Sequence, residues 1–199
     1  MGLDFAYVVV VPPERAADLL RHVAAASRDG LGETTTVLVG GERIDLPCTS
    51  GYVSGRTLVV DDSPRRHPDF WLDLSLRFPV DDMVADYLAD SPRADGHVGL
   101  IYAGLSAADW CKRGHLAFSF TAATTRMSVL FRDSAAIRGW FADLAIRSGA
   151  AVCLLDVEEE RDWLVMANGT PTFTQLSWSH NYLGYHGLAA GDPLPGLVL

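Results

Sequence analysis

The sequence predicts an α+β fold: a mostly antiparallel sheet with helices on one face, built from three strand-helix-strand-strand units as a ferredoxin-like pair plus a third unit. Three observations predict it. Apolar or alternating segments begin near Phe5, Phe70 and Met127. Each runs within a few residues into a stretch whose apolar positions recur at helical spacing. Each such stretch is followed by two further strand-like segments punctuated by turn residues. Helices that leave an antiparallel sheet in this order cover one of its faces. The repeat is one of pattern and not of residue identity. The chain reads as a single domain, 1–199, with sub-units 1–60, 66–122 and 123–199.

In the first unit, Phe5 to Val11 is a continuous valine-rich run, the form of a strand buried on both faces. Pro13 suits the first turn of a following helix, and Ala16, Leu19, Leu20, Val23 and Ala24 supply its stripe. Thr34 to Val39 and Glu42 to Leu46 flank Gly40-Gly41, a pair that tolerates the positive φ of a two-residue hairpin turn. The stretch 48–69 is rich in turn residues apart from a short strand at Thr57 to Val60.

The second unit opens with strict alternation from Phe70 to Phe78, which marks a strand with one buried face. Pro79 stops it, and Asp81 or Asp82 caps a helix with Met83, Val84, Tyr87 and Leu88 on its apolar side. His97 to Leu105 and Leu116 to Thr121 are the next strands. In the third unit Met127, Val129 and Phe131 alternate with polar residues and predict a half-exposed strand. Asp133 or Ser134 caps a helix carrying Ile137, Trp140, Phe141 and Leu144, and Gly149 sits where a left-handed residue ends it. Ala151 to Val157 and Trp163 to Met166 are its strands, joined by the acidic turn at 158–160.

With 199 residues, 49% of them hydrophobic, the chain has ample material for a core. A net charge of -9 argues against nucleic acid, whose affinity comes from Lys and Arg neutralising phosphates. It suits solubility, or a basic partner. Lys112 is the only lysine among 16 basic residues, a bias of the kind that GC-rich bacterial genomes produce. Three widely spaced cysteines, Cys48, Cys111 and Cys153, do not form a disulfide pattern and read as cytoplasmic thiols. The first apolar run lacks a preceding basic region and ends at Pro12-Pro13, so neither a signal peptide nor a membrane span is predicted.

The densest collection of functional side chains lies near the C-terminus: Trp178, His180, Asn181, Tyr182, Tyr185 and His186. Aromatics beside hydrogen-bonding groups are what a pocket or a partner-binding edge needs. The same residues also suit a tail packed over the sheet. No metal site is predicted, because Cys111 and His115 lack two further ligands and the two tail histidines lack zinc spacing. The acidic run from Asp156 to Asp162 lacks the glycine and ligand spacing of a calcium loop, and reads as a solvated turn or a contact for an Arg-rich partner. Arg65, Arg66 and His67 offer a carboxylate or phosphate contact, or else a neutralised surface loop. Walker, dinucleotide-binding, GxSxG and HExxH patterns do not occur.

The expected function is therefore a non-catalytic bacterial binding or protein-interaction module without a cofactor, suited by its charge to neutralising a basic partner as immunity proteins do. The alternative is a small-molecule sensor or enzyme with its site under the His/Tyr-rich C-terminal segment.

Overall fold

The computed structural model describes residues 2–28, 34–47, 57–60, 70–89, 96–108, 111, 114–159, 161–177 and 179. They form an α+β fold with two sheets. The large sheet contains β1 (Ala6–Val11), β5 (Phe70–Arg77), β6 (His97–Ala107), β7 (Leu116–Ala122), β8 (Val152–Asp156), β9 (Trp163–Ala167) and β10 (Thr170–Gln175). Its order is β10-β9-β8-β1-β7-β6-β5, and every neighbouring pair is antiparallel.

Strand β1 lies at the centre and is buried at every position, as its valine run requires. Tyr7, Val9 and Val11 point into the main core, whereas Val8 and Val10 join Ala117, Val152, Leu154, Ala108 and Cys111 on the opposite face. The helices are α1 (Ala16–Ala26), α2 (Asp82–Ala89), α3 (Thr125–Asp133) and α4 (Ala135–Arg147). All four contribute to the main core, through residues such as Leu19, Val84, Leu130 and Phe141, and none contributes to the second cluster. Helices thus cover one face, as expected. Among the described residues no helix is long and apolar enough to cross a membrane.

Two parts of the threefold pattern are corrected. The hairpin of β2 (Thr34–Val39) and β3 (Glu42–Pro47) turns at Gly40 and Gly41, with φ of 55° and 78°, but it does not join the large sheet. Both edges of β1 are already taken by β7 and β8, which leaves the hairpin no place beside it. It forms a second sheet instead, order β3-β2-β4, in which β4 (Thr57–Val60) runs parallel to β2. Val37, Val39, Ile44, Leu46 and Val60 still bury into the main core, and α1 lies against β3.

The second correction concerns the segment from Met127 to Phe131, which is helical and not a strand. The six-residue alternation Met127, Val129, Phe131 is ambiguous, because Met127, Leu130 and Phe131 also satisfy helical spacing, and these three are the fully buried ones. One local bond and two distant ones favour the helix. Thr124 Oγ1 accepts from Met127 N and caps the first turn, and the buried Ser128 hydroxyl accepts from Phe5 N while donating to Leu3 O. Ser134 alone separates α3 from α4: its amide closes α3 on Leu130 O, and its hydroxyl accepts from Ile137 N to start α4.

Helix α4 is pinned to the sheet by aromatic contacts. Phe141 stacks on Tyr7 with centroids 4.0 Å apart and touches Phe120, Phe131 and Phe78. Trp140 was expected to share this burial. It is only partly buried, meeting Phe78 and Phe141 edge-on and turning its remaining surface outward.

Candidate functional site

Of the residues singled out by sequence, Trp178, His180, Asn181, Tyr182, Tyr185 and His186 lie outside the described residues, as do Cys48, Arg65, Arg66 and His67. Cys111 is buried in the second cluster, on a turn closed by Cys111 N donating to Ala108 O and Ala108 N donating to His115 O. No group of three or more His, Cys, Asp or Glu able to hold a metal occurs among the described residues. Cys153 is fully buried in β8, and desolvation pushes its thiol pKa up, away from the reactive thiolate.

The acidic run is more than a solvated turn. Asp156 accepts from Glu158 N at 2.8 Å, and Glu158, held at φ 57°, accepts from Asp4 N at 3.1 Å. Asp162 is buried, and its backbone carbonyl accepts from Leu176 N just past β10. This bond sets the acidic turn beside the end of β10.

At that end of the sheet stands the most distinctive surface. Strand β10 forms the sheet edge and is exposed at most of its positions. Phe173 is 40% exposed and lies within the ladder shift between Pro171 and Thr174. It is not loose. Its ring stacks on Trp163 of β9 at 4.6 Å, and the Arg138 guanidinium of α4 lies 3.9 Å from its centroid. Trp163 is itself partly buried against the main core, so the triad is anchored at its base. A cation over an aromatic face contributes about 0.5–1 kcal/mol at an exposed site, which biases the ring toward this orientation beside its stack on Trp163. The ladder shift between Pro171 and Thr174 bends β10 here, and Pro171 removes one donor from the strand. Both features blunt the free edge against unspecific strand pairing.

The sequence reading missed β10 and therefore Phe173. A signal for it exists: Asn168-Gly169, with φ of 48° and 75°, is a two-residue hairpin turn of the type that Asn-Gly favours most. In comparisons with known protein families, curated proteins and solved structures, nothing matches this chain.

Proposed function

We propose that the protein is a non-catalytic interaction module that binds a basic partner protein at the β9–β10 end of its large sheet. The observation that carries this reading is the Arg138–Phe173–Trp163 triad, an exposed aromatic held between a cation and a second aromatic. Trp, Tyr and Arg dominate the binding energy of protein interfaces, where pre-ordered side chains lose little entropy on contact. Exposed Glu158 and Glu159 lie in the turn that leads into β9, and the net charge of -9 attracts a cationic surface over longer range. The centre is aromatic with one guanidinium over it, and the acidic border of Glu158 and Glu159 is the part that favours a basic partner.

The experiment compares retention from extract of the source cells on immobilised wild-type protein, Phe173→Ala, and a control, Val80→Ala, whose residue is 65% exposed before α2. A basic protein held by the wild type and the control, but weakened by about 2 kcal/mol or roughly thirtyfold with Phe173→Ala, is the expected result. Retention of no basic protein, or equal retention by Phe173→Ala, refutes the proposal.

A further inference from the structure

A second surface lies on the other flank of α4, where it passes α1. His22, Ala25 and Ala26 of α1 and Trp140, Leu144 and Arg147 of α4 line a groove of about 220 Å³. The groove exists because α1 presents alanines where a larger residue would fill the crevice, while Trp140 meets Phe78 at 5.0 Å and Phe141 at 4.9 Å edge-on and forms the facing wall. A cavity of about 150 Å³ lined by apolar side chains accommodates benzene, so this one has room for one six-membered ring and a small substituent.

Its polar groups are placed to read that substituent. The His22 Nδ1 atom lies 2.7 Å from Asp18 O. A carbonyl oxygen only accepts, so Nδ1 carries the proton and donates, which fixes the ring as part of the groove wall and leaves the anion to Arg147. Arg147 stands in the last turn of α4 with its side chain 59% exposed, and its contact with Asp143 is long, 3.7 Å. The planar guanidinium therefore keeps donors for a second carboxylate, which it grips in a fork. An aromatic wall in Trp140, an aliphatic floor in Ala25, Ala26 and Leu144, and the Arg147 guanidinium at the rim favour a ring that carries a carboxylate, held by the local cation against the chain's overall negative charge. We infer that the α1–α4 groove binds a small aromatic carboxylate, its ring against Trp140 and its carboxylate on Arg147. This site stands apart from the partner surface: neither Phe173 nor Trp163 lines it.

The test is an amide-detected NMR titration of the whole chain with phenylacetate, with phenylacetamide and acetate as controls. Shifts confined to residues 22–26, 140–147 and the Trp140 indole are expected for phenylacetate, at least about tenfold weaker for the amide, which lacks the charge-assisted bond. Arg147→Gln weakens phenylacetate by a similar factor. Ala25→Leu, at an exposed helical position, fills the groove and abolishes the shifts while thermal unfolding stays unchanged. Absence of shifts at millimolar phenylacetate, equal response to the amide, or shifts that survive Ala25→Leu overturns the inference.

Discussion

Replacing Asp81 tests the logic of the helical layer most directly, because one carboxylate starts two helices. Its Oδ1 accepts from Val84 N at 2.9 Å in α2, and its Oδ2 accepts from Ser134 Oγ at 2.8 Å and Ala136 N at 3.0 Å in α4. A lost helix cap costs about 1 kcal/mol, and the stranded Ser134 hydroxyl adds a comparable amount. With some discount for partial exposure, Asp81→Ala is expected to destabilise the fold by about 2–3 kcal/mol. In a chain of 199 residues this lowers the melting temperature by about 5–10 °C. Burial opposes ionisation of Asp81, but the bonds from Ala136, Val84 and Ser134 outweigh it and hold the carboxyl below its ordinary value of 3.8. The folded pKa is thus below the unfolded one. The contribution is complete above the unfolded value and is lost as pH falls through the folded value. Asp81→Asn keeps one acceptor but turns an amide donor toward Ala136 N, so it loses an intermediate amount. Thermal unfolding followed by circular dichroism at pH 7, and then at steps into the acid range, should show the gap between wild type and Asp81→Asn narrowing. A melting shift below about 2 °C for Asp81→Ala at pH 7, or a gap indifferent to acid, refutes the double-cap account.

Further outcomes follow from buried contacts. Tyr7→Phe removes a hydroxyl that donates to Phe131 O at 2.8 Å while leaving the ring stack in place, so urea titration should show a loss of about 1–2 kcal/mol. Cys153, its thiol pKa raised by burial, should resist alkylation in the native protein and react in denaturant, as read by peptide mass mapping; native labelling contradicts its placement in β8. Gly149 ends α4 at φ 62°, where a Cβ would also meet Arg15 Nε at 3.4 Å, and Gly149→Ala should cost about 1–2 kcal/mol by the same titration. Trp140→Ala should cost about 2–3 kcal/mol, short of the full loss for a buried aromatic, and a larger value would mean that the groove is closed in solution.

Sequence patterns carried the elements whose local and tertiary demands agree. The valine run of β1, the alternation of β5, the Gly40-Gly41 turn and the Ser134 and Gly149 helix ends are all where the letters place them. The residues 126–132 were misread because a short window with apolar residues at every second position also fits a helix, and the deciding bonds, from Ser128 to Leu3 and Phe5, span more than a hundred residues. The diversion of β2 and β3 into a second sheet follows from β1 being filled on both sides, a fact about pairing that no local pattern contains. The candidate surfaces were hidden for a related reason. The place of Arg138 over Phe173 depends on which strand lies beneath α4, and Trp140 read as core because its helical position borders the buried stripe.

Helix α4 gives the two proposed surfaces a common frame without making them one. Its buried stripe runs through Ile137, Phe141, Ala142, Leu144 and Ala145. At 3.6 residues per turn, Arg138 falls on one margin of that stripe, and Trp140 and Arg147 fall on the other, about half a turn away. The first margin meets β9 and β10, and the second meets α1. Occupancy of one surface influences the other only if α4 has two positions that the two ligands favour differently. The stack of Phe141 on Tyr7, the Ser134 cap and the Asp81 bonds across to α2 all hold α4 to the central strand and its neighbouring helix. A helix fixed in this way acts as a spacer: it sets the distance between the two proposed surfaces and gives neither a means to move the other.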